Sequence, residues 1–137
     1  MWIGISKIID LKVLEQKIVD FINPYSFEMG NVGEISYKTD LYAYCEQSKS
    51  EFPFVLRFGS TIAIDDENKY LKIAEYISKE FSCKTITDAL NYGLDKSEYW
   101  SIIFENGISY LAEDSNSDLF DGTGGEVKIL KRTSLKY

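Results

Sequence analysis

The sequence predicts an α+β fold: one domain with a mostly antiparallel sheet and two main helices packed on one of its faces. Four observations carry that expectation. Over residues 54–64, Phe54, Leu56, Phe58, Ile62 and Ile64 hold alternate positions, interrupted only by Ser60. This is the two-residue period of a strand with one side in a core. Tyr70, Leu71, Ile73, Ala74, Ile77 and Phe81 then recur at spacings of three and four, the stripe of an amphipathic helix. Next, Asn106-Gly107 stands between apolar runs over 99–104 and 108–112. It predicts a hairpin, because both central residues of a type I′ turn take positive φ. Finally, the two helical segments are separated by strand pairs close enough to be hairpin-linked, whereas alternating βαβ units would give a parallel sheet.

Taken in order, Trp2, Ile3, Ile5, Ile8 and Ile9 fit a first short strand. Asp10 is placed to cap a helix through about Ile22, in which Leu11, Leu14, Ile18, Phe21 and Ile22 keep the helical period. Asn23-Pro24 ends it, since the residue before proline avoids helical angles. Residues 25–33, with Gly30 and Gly33, read as a loop. Over 34–46 the alternation puts Ile35, Tyr37, Thr39, Leu41, Ala43 and Cys45 on one face. Ser36, Lys38, Asp40, Tyr42, Tyr44 and Glu46 fall on the other. A long strand is expected there, antiparallel to 54–64. Asp65 and Asp66 end the second of these strands and can cap the helix starting near Glu67. A short strand is expected over 84–87, a broken segment over 88–96 and a polar loop over 115–125. Val127, Ile129 and Leu130 mark a last strand before a basic tail.

Composition narrows the function classes. With 137 residues, 45% of them hydrophobic and 27% charged, the chain can bury a full core and falls outside the disordered class. No run of about 18 apolar residues occurs, so no membrane span is expected. The first ten residues lack the basic start, apolar segment and cleavage site of a signal peptide, and a cytoplasmic location is the expectation. Cys45 and Cys83 are far apart and suit reduced core positions better than a disulfide. Fifteen basic against 22 acidic residues leave a net charge of −7, which disfavours a nucleic-acid partner.

The chain has no histidine. That removes His-based triads, His-activated cysteine nucleophiles and HExxH zinc sites. Residues 114–118, Asp-Ser-Asn-Ser-Asp, space oxygens as a calcium loop does, but Leu119 stands where glycine is required and Gly125 where glutamate is. Gly122-Thr123-Gly124-Gly125 lacks the Lys-Ser/Thr continuation and following helix of a phosphate loop. No catalytic residue, metal site or cofactor is therefore assigned. A carboxylate-pair enzyme stays as an alternative, because such a pair is spatial and invisible in sequence.

Charge distribution carries more than any motif. Residues 98–125 hold six acidic residues and no basic one, while residues 126–137 hold four basic residues and one acid. Aromatic residues interleave the acidic stretch. Aromatic anchors beside charge supply affinity and fast encounter at protein-binding surfaces. The candidate partner-binding residues are Trp100, Glu105, Tyr110, Glu113, Asp114, Asp118, Phe120 and Asp121.

Taken together, Val55-Leu56-Arg57-Phe58-Gly59-Ser60, the acidic turn, the helix to Phe81 and Tyr99-Trp100-Ser101-Ile102 before the Asn-Gly hairpin resemble the small immunity proteins of bacterial toxin systems. The resemblance is one of size, charge, order and texture, so no functional residues carry over from it. It implies a non-enzymatic inhibitor whose partner is a cognate toxin domain. An acidic inhibitor suits a basic, nuclease-like cleft, whose phosphate-seeking charge it can mimic. An alternative is a structural or regulatory subunit that self-associates through residues 34–46, with Tyr37, Tyr42 and Tyr44, if that strand lies on a sheet edge.

Overall fold

The structure, a computed structural model, describes residues 1–64, 68–88, 100–113 and 128–133. Its elements are β1 (Trp2–Ile5), α1 (Leu11–Ile22), β2 (Phe27–Gly30), β3 (Leu41–Gln47), β4 (Phe54–Ser60), α2 (Lys69–Glu80), β5 (Lys84–Asp88), β6 (Trp100–Glu105), β7 (Ile108–Glu113) and β8 (Lys128–Arg132). The strands form one sheet in the order β2-β3-β4-β1-β5-β6-β7-β8. Every neighbouring pair is antiparallel except β2–β3. The α+β fold is as expected, with β3 antiparallel to β4 and β6 to β7.

Both helices lie on one face of the sheet. Leu14, Ile18 and Ile22 of α1 and Leu71, Ile73, Ala74 and Ile77 of α2 share one buried core with Ile3, Ile5, Leu41, Ala43, Leu56, Ile102 and Phe104. Burial of each such large side chain stabilises the fold by about 1.5–3 kcal/mol. The helices also meet directly. Lys17 Nζ lies 2.7 Å from a Glu80 carboxylate oxygen, and the Phe21 and Tyr76 rings stack at 4.2 Å.

Local chemistry sets the ends. Asp10 Oδ1 accepts the Val13 N–H at 3.1 Å, the cap expected for α1. α2 follows Asn68, whose side chain makes no cap hydrogen bond; the expected caps Asp65 and Asp66 lie outside the described residues. At its other end Ser82 takes a left-handed φ of 48°. The Ser82 N–H reaches the Lys79 carbonyl at 3.4 Å and the Cys83 N–H reaches the Ser78 carbonyl at 3.1 Å. This is the paired closure of a Schellman motif, with serine where glycine is usual. In the β6–β7 turn, Asn106 and Gly107 have φ of 50° and 81°, the positive angles predicted for it. The turn docks on α2, where the Gly107 N–H donates to the buried Ser78 Oγ at 3.0 Å.

Three expectations need correction. Residues 25–33 are not all loop, because 27–30 form β2, parallel to β3. A four-residue edge strand is too short to show a period. Residues 34–40 are not strand. The Glu28 carboxylate accepts the Ser36 N–H at 2.7 Å, the Ser36 hydroxyl at 2.6 Å and the Thr39 hydroxyl at 2.9 Å, and this local network replaces a strand ladder. The alternation that seats Tyr37 with Leu41 and Ala43 therefore fails. Tyr37 has φ of 59° and meets Tyr42 and Tyr44 instead. Finally, β1 stops at Ile5 and β4 at Ser60, leaving Ile8 and Ile62 exposed.

Candidate functional site

The eight residues singled out from the sequence do not all fall within the described residues. Asp114, Asp118, Phe120 and Asp121 lie outside them, as do the calcium-like and glycine-rich stretches. Trp100 and Glu113 pair in the β6–β7 register. Glu113 follows Ala112 and so alternates back to the side of Leu111, which belongs to the core beneath the helices. Tyr110 is half-buried on the opposite face, against a small cluster of Phe52, Ile86, Ile103 and Ala112. Glu105 lines a cavity of about 360 Å³ with Glu51, Phe52, Cys83 and Lys84, and sits opposite Lys84 in the β5–β6 register. Glu105, Tyr110 and Glu113 are thus shared between the two faces.

The face away from the helices carries a different arrangement. Alternation sends Ala43, Leu56 and Ile3 to the helical core, so Tyr44, Arg57 and Trp2 point the other way. They are neighbours across three adjacent strands, with Tyr44 paired to Arg57 and Arg57 to Trp2. Arg57 Nε donates to Glu46 Oε1 at 2.9 Å, with the Arg57 side chain 43% exposed. Tyr42 and Tyr44 pack edge-on at 5.7 Å, and Tyr37, 53% exposed, packs edge-on to Tyr42 at 5.1 Å. The Tyr42 ring lies directly over Gly59, where a Cβ would stand 2.5 Å from it, so any larger residue would lift the ring.

The pKa values of Tyr44 and Asp88 on this face are both shifted upward. The Tyr37 and Tyr44 hydroxyls hydrogen-bond each other, and mainly for that reason the Tyr44 pKa is pushed up to about 12. Burial pushes the Asp88 carboxyl upward, against a hydrogen bond from Trp2 and the nearby N-terminal ammonium. Neither cysteine resembles an activated nucleophile. Burial raises Cys45 to about 11 and also raises Cys83, whose thiol lies 3.8 Å from the Ile77 carbonyl. Both are free thiols, as expected. Among the described residues, no group of three or more Asp, Glu or Cys is placed to hold a metal ion, and no helix is long and apolar enough to cross a membrane.

Sequence reasoning passed over Trp2 and Arg57. It placed Tyr42 and Tyr44 on the polar side of a strand without seeing what lay beside them. The signal for Tyr44 and Arg57 was the β3–β4 alternation read as a hairpin, but the place of β1 beside β4 has no local signature. That strand is also no edge. β3 lies between β2 and β4, so it has no free edge for the strand pairing expected of residues 34–46. The outer side of β2 is itself partly covered, for Glu15 on α1 accepts the Met29 N–H at 3.0 Å. No family model, no curated protein and no solved structure matches the chain.

Proposed function

We propose that this chain is a non-enzymatic protein-binding inhibitor, an immunity protein that neutralises a cognate toxin domain through the sheet face opposite its helices. The row Tyr44–Arg57–Trp2 is the observation that carries this reading. Tyr, Trp and Arg are the side chains that dominate binding energy at protein interfaces, where they cluster centrally. Here the sheet holds them rigid, so little conformational freedom is lost on contact. The net charge of −7 suits a partner with a basic, nuclease-like cleft, and the acidic stretch over 98–125 would speed the encounter.

The test is retention of a partner by the tagged chain from its own cell lysate, at low and high salt. A single basic domain should be held, more weakly at high salt. Joint replacement Tyr44→Ala and Arg57→Ala should weaken binding by at least about thirtyfold, the size of an interface hot spot. Asp114→Asn, Asp118→Asn and Asp121→Asn together should slow association and flatten its salt dependence. Undiminished retention by the folded Tyr44/Arg57 variant removes the sheet face from the reading. Recovery of the chain alone or only with its own copies removes the inhibitor reading itself.

A further inference from the structure

We propose that the cleft between the β1–α1 connection and the far end of β3 docks a basic, apolar segment of another protein: one apolar side chain in the cleft and Lys or Arg beside it. Cys45, Phe54 and Ile9 form its apolar lining together with Ile8 and Leu11, and Asn31, Glu46 and Gln47 are its polar border. The cleft holds about 140 Å³, close to the roughly 150 Å³ of an apolar cavity that accepts benzene. One leucine- or phenylalanine-sized group therefore fits.

Its rim carries exposed aliphatic side chains, as do Val13, Ile62, Ile108 and Ile129 elsewhere among the described residues. Ile8 is 61% exposed and Leu11 39%. Val32, next in the chain to Asn31, is 79% exposed. None of these exposures is needed by α1 or the sheet, whose core contacts run through Leu14, Ile18 and Ile22. Ile8 and Leu11 both line the recess, so their exposed apolar surface is gathered at it rather than scattered.

Charge decides the occupant. Glu34 accepts both the backbone N–H and the side-chain amide of Asn31 at 3.2 Å, which fixes its carboxylate beside the cleft. Glu15 stands one turn along α1 from Leu11 and is held by the Met29 N–H. Both carboxylates act on Cys45 inside the cleft. Neither forms an ion pair with Lys or Arg among the described residues. Two carboxylates held beside an apolar recess, with no ion-pair partner among the described residues, favour a cationic segment and repel an acidic one. A second copy of this chain, at −7, carries the wrong overall charge. Glu46 of the border is paired with Arg57 of the sheet face, but the charges that choose the occupant are Glu15 and Glu34, so the proposal does not rest on the sheet-face reading.

The experiment is methyl NMR of the full chain titrated with a seven-residue blocked peptide of alternating Lys and Leu, and with its Glu and Leu counterpart. The Lys peptide should shift the methyls of Ile8, Leu11 and Val32, saturably, while the Glu peptide leaves them in place. Glu15→Gln and Glu34→Gln retain an oxygen acceptor and should each weaken the Lys peptide roughly threefold. Ile8→Ser, at an exposed position, should preserve the spectrum elsewhere and abolish the shifts. Equal shifts from both peptides, shifts spread over the molecule, or an unchanged affinity in the double Gln variant overturn the proposal. So do concentration-dependent shifts of these methyls without peptide, which would make the cleft a self-association site.

Discussion

The two faces of the sheet differ in what their side chains are for. Beneath the helices, Ile3, Ile5, Leu56, Ile73, Ile77 and Ile102 are fully enclosed, and buried polar groups find partners within the fold. The Thr85 hydroxyl donates to the Ala74 carbonyl at 2.8 Å, and the Ser78 hydroxyl to that of Glu75 at 2.7 Å. On the other face a small core around Phe52, Ile86, Ile103 and Ala112 lies beside a half-open field of Tyr37, Tyr42, Tyr44 and Arg57. One face is closed because stability requires it. The other keeps aromatic and charged groups half-exposed in a row across β3, β4 and β1.

That contrast can be broken in several places. Leu56→Ala in the helical core and Phe52→Ala on the opposite face should each cost about 3–5 kcal/mol in urea unfolding, as deletions of fully buried large side chains do. Tyr44→Ala should cost less than about 1 kcal/mol, the range of a surface substitution. If Phe52→Ala behaves like Tyr44→Ala, the outer face has no core of its own and the comparison must be redrawn. Ser78→Ala comes next, at about 1–3 kcal/mol, because it leaves the Gly107 N–H without its acceptor. Ser82→Gly should stabilise by about 1 kcal/mol, relieving a left-handed serine at the end of α2.

The smallest effects are pH-dependent and run in opposite directions on the one face. Burial raises Asp88 above its ordinary 3.8, so the folded chain holds that proton to higher pH than the unfolded chain does. Its contribution to stability is complete below 3.8 and is lost as pH rises through the folded value, and Asp88→Asn should remove that loss. Hydrogen bonds from Ser36 lower Glu28 below its ordinary 4.5. Its contribution is complete above 4.5 and is lost as pH falls through the folded value, and Glu28→Gln should flatten that acid limb. Melting curves of the three proteins across pH 3–7 would show both limbs; a common slope would mean that neither group is coupled to folding.

Much of the fold was legible because its signals are local. Asp10, Asn106-Gly107 and the stripe from Tyr70 to Ile77 each specify a cap, a turn or a helix through neighbours a few residues away. The failures were equally physical. Residues 34–40 alternate like a strand, yet Glu28 draws Ser36 and Thr39 into a loop, and a two-residue period records nothing of a carboxylate eight positions upstream. For the candidate residues, the sequence supplied an aromatic and acidic set but not the face on which each would stand. Glu105 and Tyr110 share a face with Tyr44, while Glu113 belongs to the other.

By itself, then, the sequence determined two amphipathic helices, the hairpin pairing of β3 with β4 and of β6 with β7, and an acidic chain without histidine. All of these follow from spacing and side-chain chemistry within short windows. Only the tertiary structure decided that β1 enters between β4 and β5, that β2 takes the edge from β3, and that residues 2, 44 and 57 stand in one row. Those outcomes depend on pairing between distant segments, selected by which apolar faces close one core together, and no local period encodes that choice.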